Sequence, residues 1–203
     1  MKMKEVQAQT GLSRKAIAYY QQKGLIEPVV EEIRTLFAGH VYGVDVQDLH
    51  HAVLSRLGEQ NKTIAVAESC TGGTIASRLT DIPGASQVFL CGAVTYSNVW
   101  ADTPSIFCLL SLEEHGAVSP ECALEMARGM RGTSGADFAL ATTGIAGPDG
   151  GTPEKPVGLA YLALAYEGGE EVHELRLVGN RERIRGTGVL EALDMLRRRL
   201  ENI

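Results

Sequence analysis

Residues 63–73 read T-I-A-V-A-E-S-C-T-G-G. The small and apolar run predicts a buried strand over Thr63–Ala67, a sharp turn at Ser69, and a helix over Gly72–Leu79 opened by the two glycines. A strand feeding straight into a helix begins an α/β unit, and the rest of the chain repeats that alternation. Further strands are expected over Val88–Tyr96, Asp137–Thr142, Leu159–Tyr166 and Glu171–Val178. Helices are expected over Ser105–Leu110, Pro120–Met130 and Arg181–Leu200, the last burying Ile184, Val189, Leu190, Leu193 and Leu196. Glu167-Gly168-Gly169-Glu170 joins the last two strands as an antiparallel hairpin. The predicted fold class is α/β: three layers, α/β/α, with a mixed, mostly parallel sheet, preceded by a small helical N-terminal segment.

Upstream of Thr63, helical patterns cover Glu31–Phe37 and Val46–Gln60, the second with Leu49, Val53, Leu54 and Leu57 on one side. His50 and His51 are neighbours on that helix and are not expected to face one ligand. Before these, Met3–Gln9 reads as a helix, Thr10-Gly11-Leu12 as a turn, and Ser13 as the cap of a second helix carrying Ile17 and Tyr20. The expected organisation is a helix-turn-helix stub at 1–28, a helical connector at 29–62, and the α/β domain at 63–203.

A chain of 203 residues, 44% hydrophobic and 22% charged, suffices for one well-buried core and a small appendage. Its net charge of −6 argues against broad nucleic-acid binding, which needs an excess of Lys and Arg. The balance is uneven: Lys2, Lys4, Arg14, Lys15 and Lys23 against Glu5 and Glu27 give residues 1–28 a net +3, leaving −9 for the remainder. Cys70, Cys91, Cys108 and Cys122 form no C-x-x-C pair, so neither a zinc site nor a disulfide framework is expected. No His/Asp/Glu cluster has ligand spacing, so no metal and no cofactor are expected. The absence of a long apolar run and of a secretory leader points to a cytoplasmic protein without a membrane partner.

Two segments at the C-terminal ends of predicted strands could carry chemistry, since open α/β sheets bind ligands there. In the first, Ser69 is either a plain helix cap or a nucleophile, and the helix that follows offers free N–H groups to an anion or a developing oxyanion. Gly72 and Gly73 allow close approach to the backbone. The second runs from Thr142 to Gly158 and holds three prolines and five glycines. A loop of that length and stiffness is expected to shape a site.

Six stretches occur in order: A-E-S-C-T-G-G at 67–73, D-I-P-G-A-S at 81–86, V-T-Y-S-N at 94–98, H-G-A-V-S at 115–119, T-G-I-A-G-P-D-G-G-T-P-E-K-P-V-G at 143–158 and N-R-E-R-I-R at 180–185. In order and spacing they resemble the C-terminal domain of the CinA competence-damage-inducible family, whose members include nicotinamide mononucleotide deamidases; residues 30–60 look like the segment preceding that domain. The resemblance implies that Ser69 attacks the carboxamide of nicotinamide mononucleotide, assisted by Tyr96, giving the acid and ammonia. It implies that Glu68, Cys70, Thr71, Gly72, Gly73, Thr143, Gly144 and Arg181 border the ligand, with Thr143 orienting it and Arg181 meeting its charge. A homodimer or higher homo-oligomer is also expected. The family's lysine, five residues after the tyrosine, is here Ala101. Lys155 belongs to another motif, and Arg185 is read as completing a helix surface. Removing the base of a serine nucleophile costs several orders of magnitude in rate, so a slow enzyme and a pyridine-nucleotide-binding pseudoenzyme or sensor both stand.

Residues 4–28, K-E-V-Q-A-Q-T-G-L-S-R-K-A-I-A-Y-Y-Q-Q-K-G-L-I-E-P, resemble the N-terminal DNA-reading segment of MerR-type regulators and stand where the large N-terminal domain of full-length CinA is expected. A structural or dimer-forming role of this stub is the expectation, with weak DNA binding the alternative, because Ala18 replaces a phosphate-gripping arginine of that family and no wing or coiled coil follows Pro28.

Overall fold

A computed structural model describes residues 13–24, 33, 35–37, 41–42, 46–96 and 109–202. The elements are α1 (Arg14–Gln22), α2 (Leu49–Glu59), β1 (Ile64–Glu68), α3 (Thr74–Thr80), a 3-10 turn (Ala85–Gln87), β2 (Phe89–Val94), α4 (Leu109–His115), α5 (Pro120–Ser134), β3 (Phe138–Gly144), β4 (Leu159–Tyr166), β5 (Gly169–Arg176) and α6 (Arg181–Leu200). Ser13 caps α1 as its sequence predicts, its Oγ accepting from the Ala16 N–H at 3.2 Å. The predicted Met3–Gln9 helix, the Thr10–Leu12 turn, part of Glu31–Phe37, most of Ser105–Leu110 and Ala101 lie outside the described residues.

One sheet has the order β2-β1-β3-β4-β5. β1 pairs in parallel with β2 and β3, whereas β4 runs antiparallel to both β3 and β5. Four strands thus point one way and β4 alone is reversed; the expected hairpin joins it to β5, but its turn is only Glu167 and Gly168, so β5 starts at Gly169, two residues before the expected Glu171. Alternation along the strands divides the core by side-chain size. Ile64, Val66, Leu140, Leu162 and Leu164 cluster with Val53 and Leu57 of α2 and with Leu193 and Leu196 of α6. On the opposite face, Ala65, Ala67, Ala139, Ala141, Ala163 and Ala165 meet Cys122, Met126 and Met130 of α5. The alanine face lets α5 lie close to the sheet, and the two adaptable methionines fill what space remains. These are the three predicted layers.

Ser119 begins α5, accepting from the Cys122 N–H at 3.2 Å, with Pro120 at the start of the helix. That helix runs past its expected end at Met130 to Ser134, where Gly135 takes a left-handed conformation.

Two expectations are corrected. Leu190 is 54% exposed although its neighbour Val189 is buried. One helical step is about 100°, and the apolar stripe of α6 covers only one side, so Leu190 turns away. His50 and His51 do converge: their Nδ1 atoms lie 3.1 and 2.7 Å from the same Asp48 Oδ1. Asp48 is the N-cap of α2, and side chains in a first turn lean back toward the cap, so neighbours in sequence reach one carboxylate. No helix among the described residues is long and apolar enough to cross a membrane.

Candidate active site

The parallel strands β2, β1 and β3 end side by side. Glu68 pairs with Val94 on one side and Thr142 on the other, so Ser69 and Tyr96 leave the sheet at the edge where Thr143 nears the end of β3. The Ser69 N–H donates to the Thr142 carbonyl at 2.9 Å, and the Ser69 carbonyl accepts from the Gly72 N–H at 3.0 Å. Gly72 and Gly73 turn the chain into α3 with φ of 61° and 88°, values at which a side chain is strained. The Ser69 hydroxyl has no hydrogen-bond partner among the described residues, which removes the plain-cap reading of this serine.

Glu68 is fully buried, and its carboxylate serves the turn. It accepts from the N–H groups of Gly73, Ile75 and Ala76 at 3.0, 3.1 and 2.8 Å. The expectation that the start of this helix offers free donors is therefore corrected: Glu68 occupies them. The N–H groups of Cys70 and Thr71 face the Cys70 sulfur rather than an acceptor oxygen. Thr71 and Thr142 share a buried hydroxyl–hydroxyl bond of 2.7 Å. Burial pushes the Cys70 thiol up to about 11, so it stays protonated and is a poor nucleophile at neutral pH.

Thr143 is buried, and its hydroxyl donates to the Ala117 carbonyl at 2.6 Å, tying β3 to the segment between α4 and α5. Lys155 reinforces that tie by donating to the carbonyls of His115 and Val118, both at 2.8 Å. Its ammonium is thus spent on fastening a loop. Gly144 pairs with Ala160, whose Cβ would meet any side chain at this position at 2.7 Å.

Arg181, in the first turn of α6, joins two motifs that are far apart in sequence. It donates to the Gly147 carbonyl at 2.7 Å and, through its other terminal nitrogen, to the Tyr96 hydroxyl. Tyr96 remains 60% exposed, so its phenol is open to a ligand. Arg185 is not merely helix surface, which corrects its sequence reading. It donates to the Thr71 carbonyl at 2.7 Å and the Thr74 hydroxyl at 3.2 Å, clasping the turn that carries Ser69. Its Nε is buried without a partner among the described residues. The four-residue spacing from Arg181 to Arg185 is the sequence signal that both face one way.

Residues 46–200 match the model of the CinA C-terminal domain. This chain belongs to the CinA C-terminal domain family. As a CinA-type chain it is 51% identical over 173 residues to a relative in Acetivibrio thermocellus, covering 85% of this chain and 42% of that protein. It is 42% identical over 200 residues to a CinA-like protein of Dictyoglomus thermophilum, covering 98% and 49%. The chain thus spans less than half the length of these curated relatives. Its fold matches the crystal structure of a competence/damage inducible protein from Agrobacterium tumefaciens with a TM-score of 0.73 at 40% identity, covering 79% of this chain and 98% of that one. The stretch matched to the CinA C-terminal domain begins upstream of Thr63 and takes in α2.

Among the described residues of this CinA-type chain, one group has metal-ligand proximity after all: Asp48, His50 and His51, with ligand atoms within 4.8 Å of one another. Capping accounts for it, because Asp48 Oδ1 accepts from the His51 N–H at 3.0 Å and meets both imidazoles.

Proposed function

We propose that this protein hydrolyses the carboxamide of nicotinamide mononucleotide, with Ser69 as nucleophile. The observation that carries the reading is local. At a turn where Glu68, Thr71, Thr142 and Arg185 are all engaged, the Ser69 hydroxyl has no hydrogen-bond partner among the described residues, and the next two N–H groups face only the weakly accepting Cys70 sulfur. The hydroxyl attacks the carboxamide carbon, and the Cys70 and Thr71 N–H groups receive the oxygen that becomes negative. Collapse of that intermediate expels ammonia and leaves an acyl ester on Ser69, which water then cleaves to the acid. Tyr96, held by Arg181, is the group assigned to relay the serine proton to the leaving nitrogen, giving up its own as it takes the other. The family's lysine would make that transfer faster; Ala101 stands in its place.

The test is ammonia release from nicotinamide mononucleotide by the wild type, Ser69→Ala and Ala101→Lys. A slow wild type, an inactive Ser69→Ala and a gain of about 10²–10⁴ in Ala101→Lys are expected, the size of a general-base contribution. No ammonia from any of the three folded proteins sinks the reading. Ala101 also favours a second reading, a pseudoenzyme that binds the nucleotide without turnover. Calorimetric binding by a wild type that releases no ammonia selects it.

A further inference from the structure

We infer that the groove lined by Arg78, Arg181, Arg183 and Arg185 is a subsite for two linked phosphates, so that the site prefers a pyridine dinucleotide to the mononucleotide. The groove measures about 720 Å³ and runs from Thr74 and Arg78 of α3 along the first turns of α6. Its charged lining is four arginines and one carboxylate, Glu182, in a chain of net charge −6. None of the four arginines has a carboxylate partner among the described residues. By contrast Arg56, Arg128, Arg176, Arg197, Arg198 and Arg199 each pair with an acid. A cluster of unneutralised guanidiniums in a concave surface is chemistry for phosphate oxygens, which they bind in forked pairs. The start of α6, a helix of 20 residues, adds its positive end to the same groove.

The number and placement of the arginines favour two phosphates over one. Arg181 and Arg185 border the Ser69 turn through their contacts with Tyr96 and Thr71. Arg78 and Arg183 also line an adjoining hollow of about 700 Å³, whose apolar wall includes Leu49, Val189, Leu190 and Leu193. Three acids line that hollow: Asp48 and Asp194 are already paired within the protein, with His50 and His51 and with Arg197 and Arg198, and Glu191 has no ion-pair partner among the described residues. A ligand with its amide at Ser69 thus meets one arginine pair, then the other, then an apolar recess of nucleoside size. Arg78 and Arg183 are the residues assigned to the second phosphate. The dinucleotide part of this inference rests on the proposed amidase reading; the phosphate part does not.

The experiment is calorimetry with inorganic phosphate, inorganic pyrophosphate, the mononucleotide and the dinucleotide, on the wild type and Arg78→Gln/Arg183→Gln. Pyrophosphate is expected to bind at least about tenfold tighter than phosphate, as charge-assisted forked bonds predict. The double variant is expected to lose about tenfold for pyrophosphate and dinucleotide while its mononucleotide affinity changes by less than about twofold. Equal binding of phosphate and pyrophosphate, or an unchanged double variant, overturns the inference; the wild-type comparison alone decides if the variant fails to fold. Pyrophosphate binding that the variant loses, with no ammonia from either nucleotide, keeps the subsite and removes the amidase. Ammonia from the mononucleotide without pyrophosphate binding does the reverse.

Discussion

Three N–H groups at the start of α3 converge on the buried carboxylate of Glu68, so the chain turns sharply after β1 and still leaves the Ser69 hydroxyl unengaged among the described residues. Removing the acceptor strands three donors, each costing on the order of 1–3 kcal/mol, with partial relief from entering water. Glu68→Ala is accordingly expected to lose about 3 kcal/mol or more in urea unfolding, and to lose ligand binding with it. A loss under about 0.5 kcal/mol, the ordinary surface range, would show that the cap is unimportant.

Elements meet here through a size rule. The face of the sheet against α2 and α6 carries Ile, Val and Leu, and the face against α5 carries alanine at Ala65, Ala67, Ala139, Ala141, Ala163 and Ala165. Exchanging sizes across the sheet is not neutral, because an interior at crystal-like density has no room for added methylenes. Ala141→Leu should push α5 off the sheet and destabilise by about 1–3 kcal/mol, whereas Leu140→Ala on the other face should cost about 2–5 kcal/mol by leaving a cavity. Both are read as denaturation midpoints. An Ala141→Leu protein as stable as the wild type would mean that α5 is loosely held.

For the whole molecule, titration sets a window of stability. Burial acts to raise Asp48, Asp137 and Asp194, but bonds from His51, from Lys62 and Thr63, and from Arg197 and Arg198 outweigh it, and all three end below the ordinary value. Their contribution is complete above the unfolded carboxylate pKa of about 3.9 and disappears as pH falls through the lower folded values. Burial lowers His50 despite Asp48, so its contribution is complete above about pH 6.5 and declines on acidification. On the alkaline side, burial raises Cys70 and Cys122 to about 11. The folded state then holds protons that the unfolded chain releases, and stability falls as pH rises from the unfolded thiol value of about 8.5. Melting temperature should thus be highest at about pH 7–8 and fall on both sides, with Cys122→Ala flattening the alkaline limb. A melting temperature still rising at pH 10 would contradict these shifts.

Local pattern was enough to place the five strands, their alternation with helices, the hairpin at Glu167–Glu170 and the turn at Ser69. These rest on periodicity and on glycine, which act over a few residues. The bounds of β4 and α6 were legible to the residue because turn and cap residues flank them. Packing, by contrast, was needed to show that Leu190 faces outward, that His50 and His51 share Asp48, that Glu68 occupies the donors of α3, and that Arg185 clasps the Ser69 turn. It also brought Arg181 to Tyr96 and gathered four unneutralised arginines in one groove. Those facts depend on strand register and on how closely α6 approaches the sheet edge, which unite groups about a hundred residues apart that no short-range pattern relates.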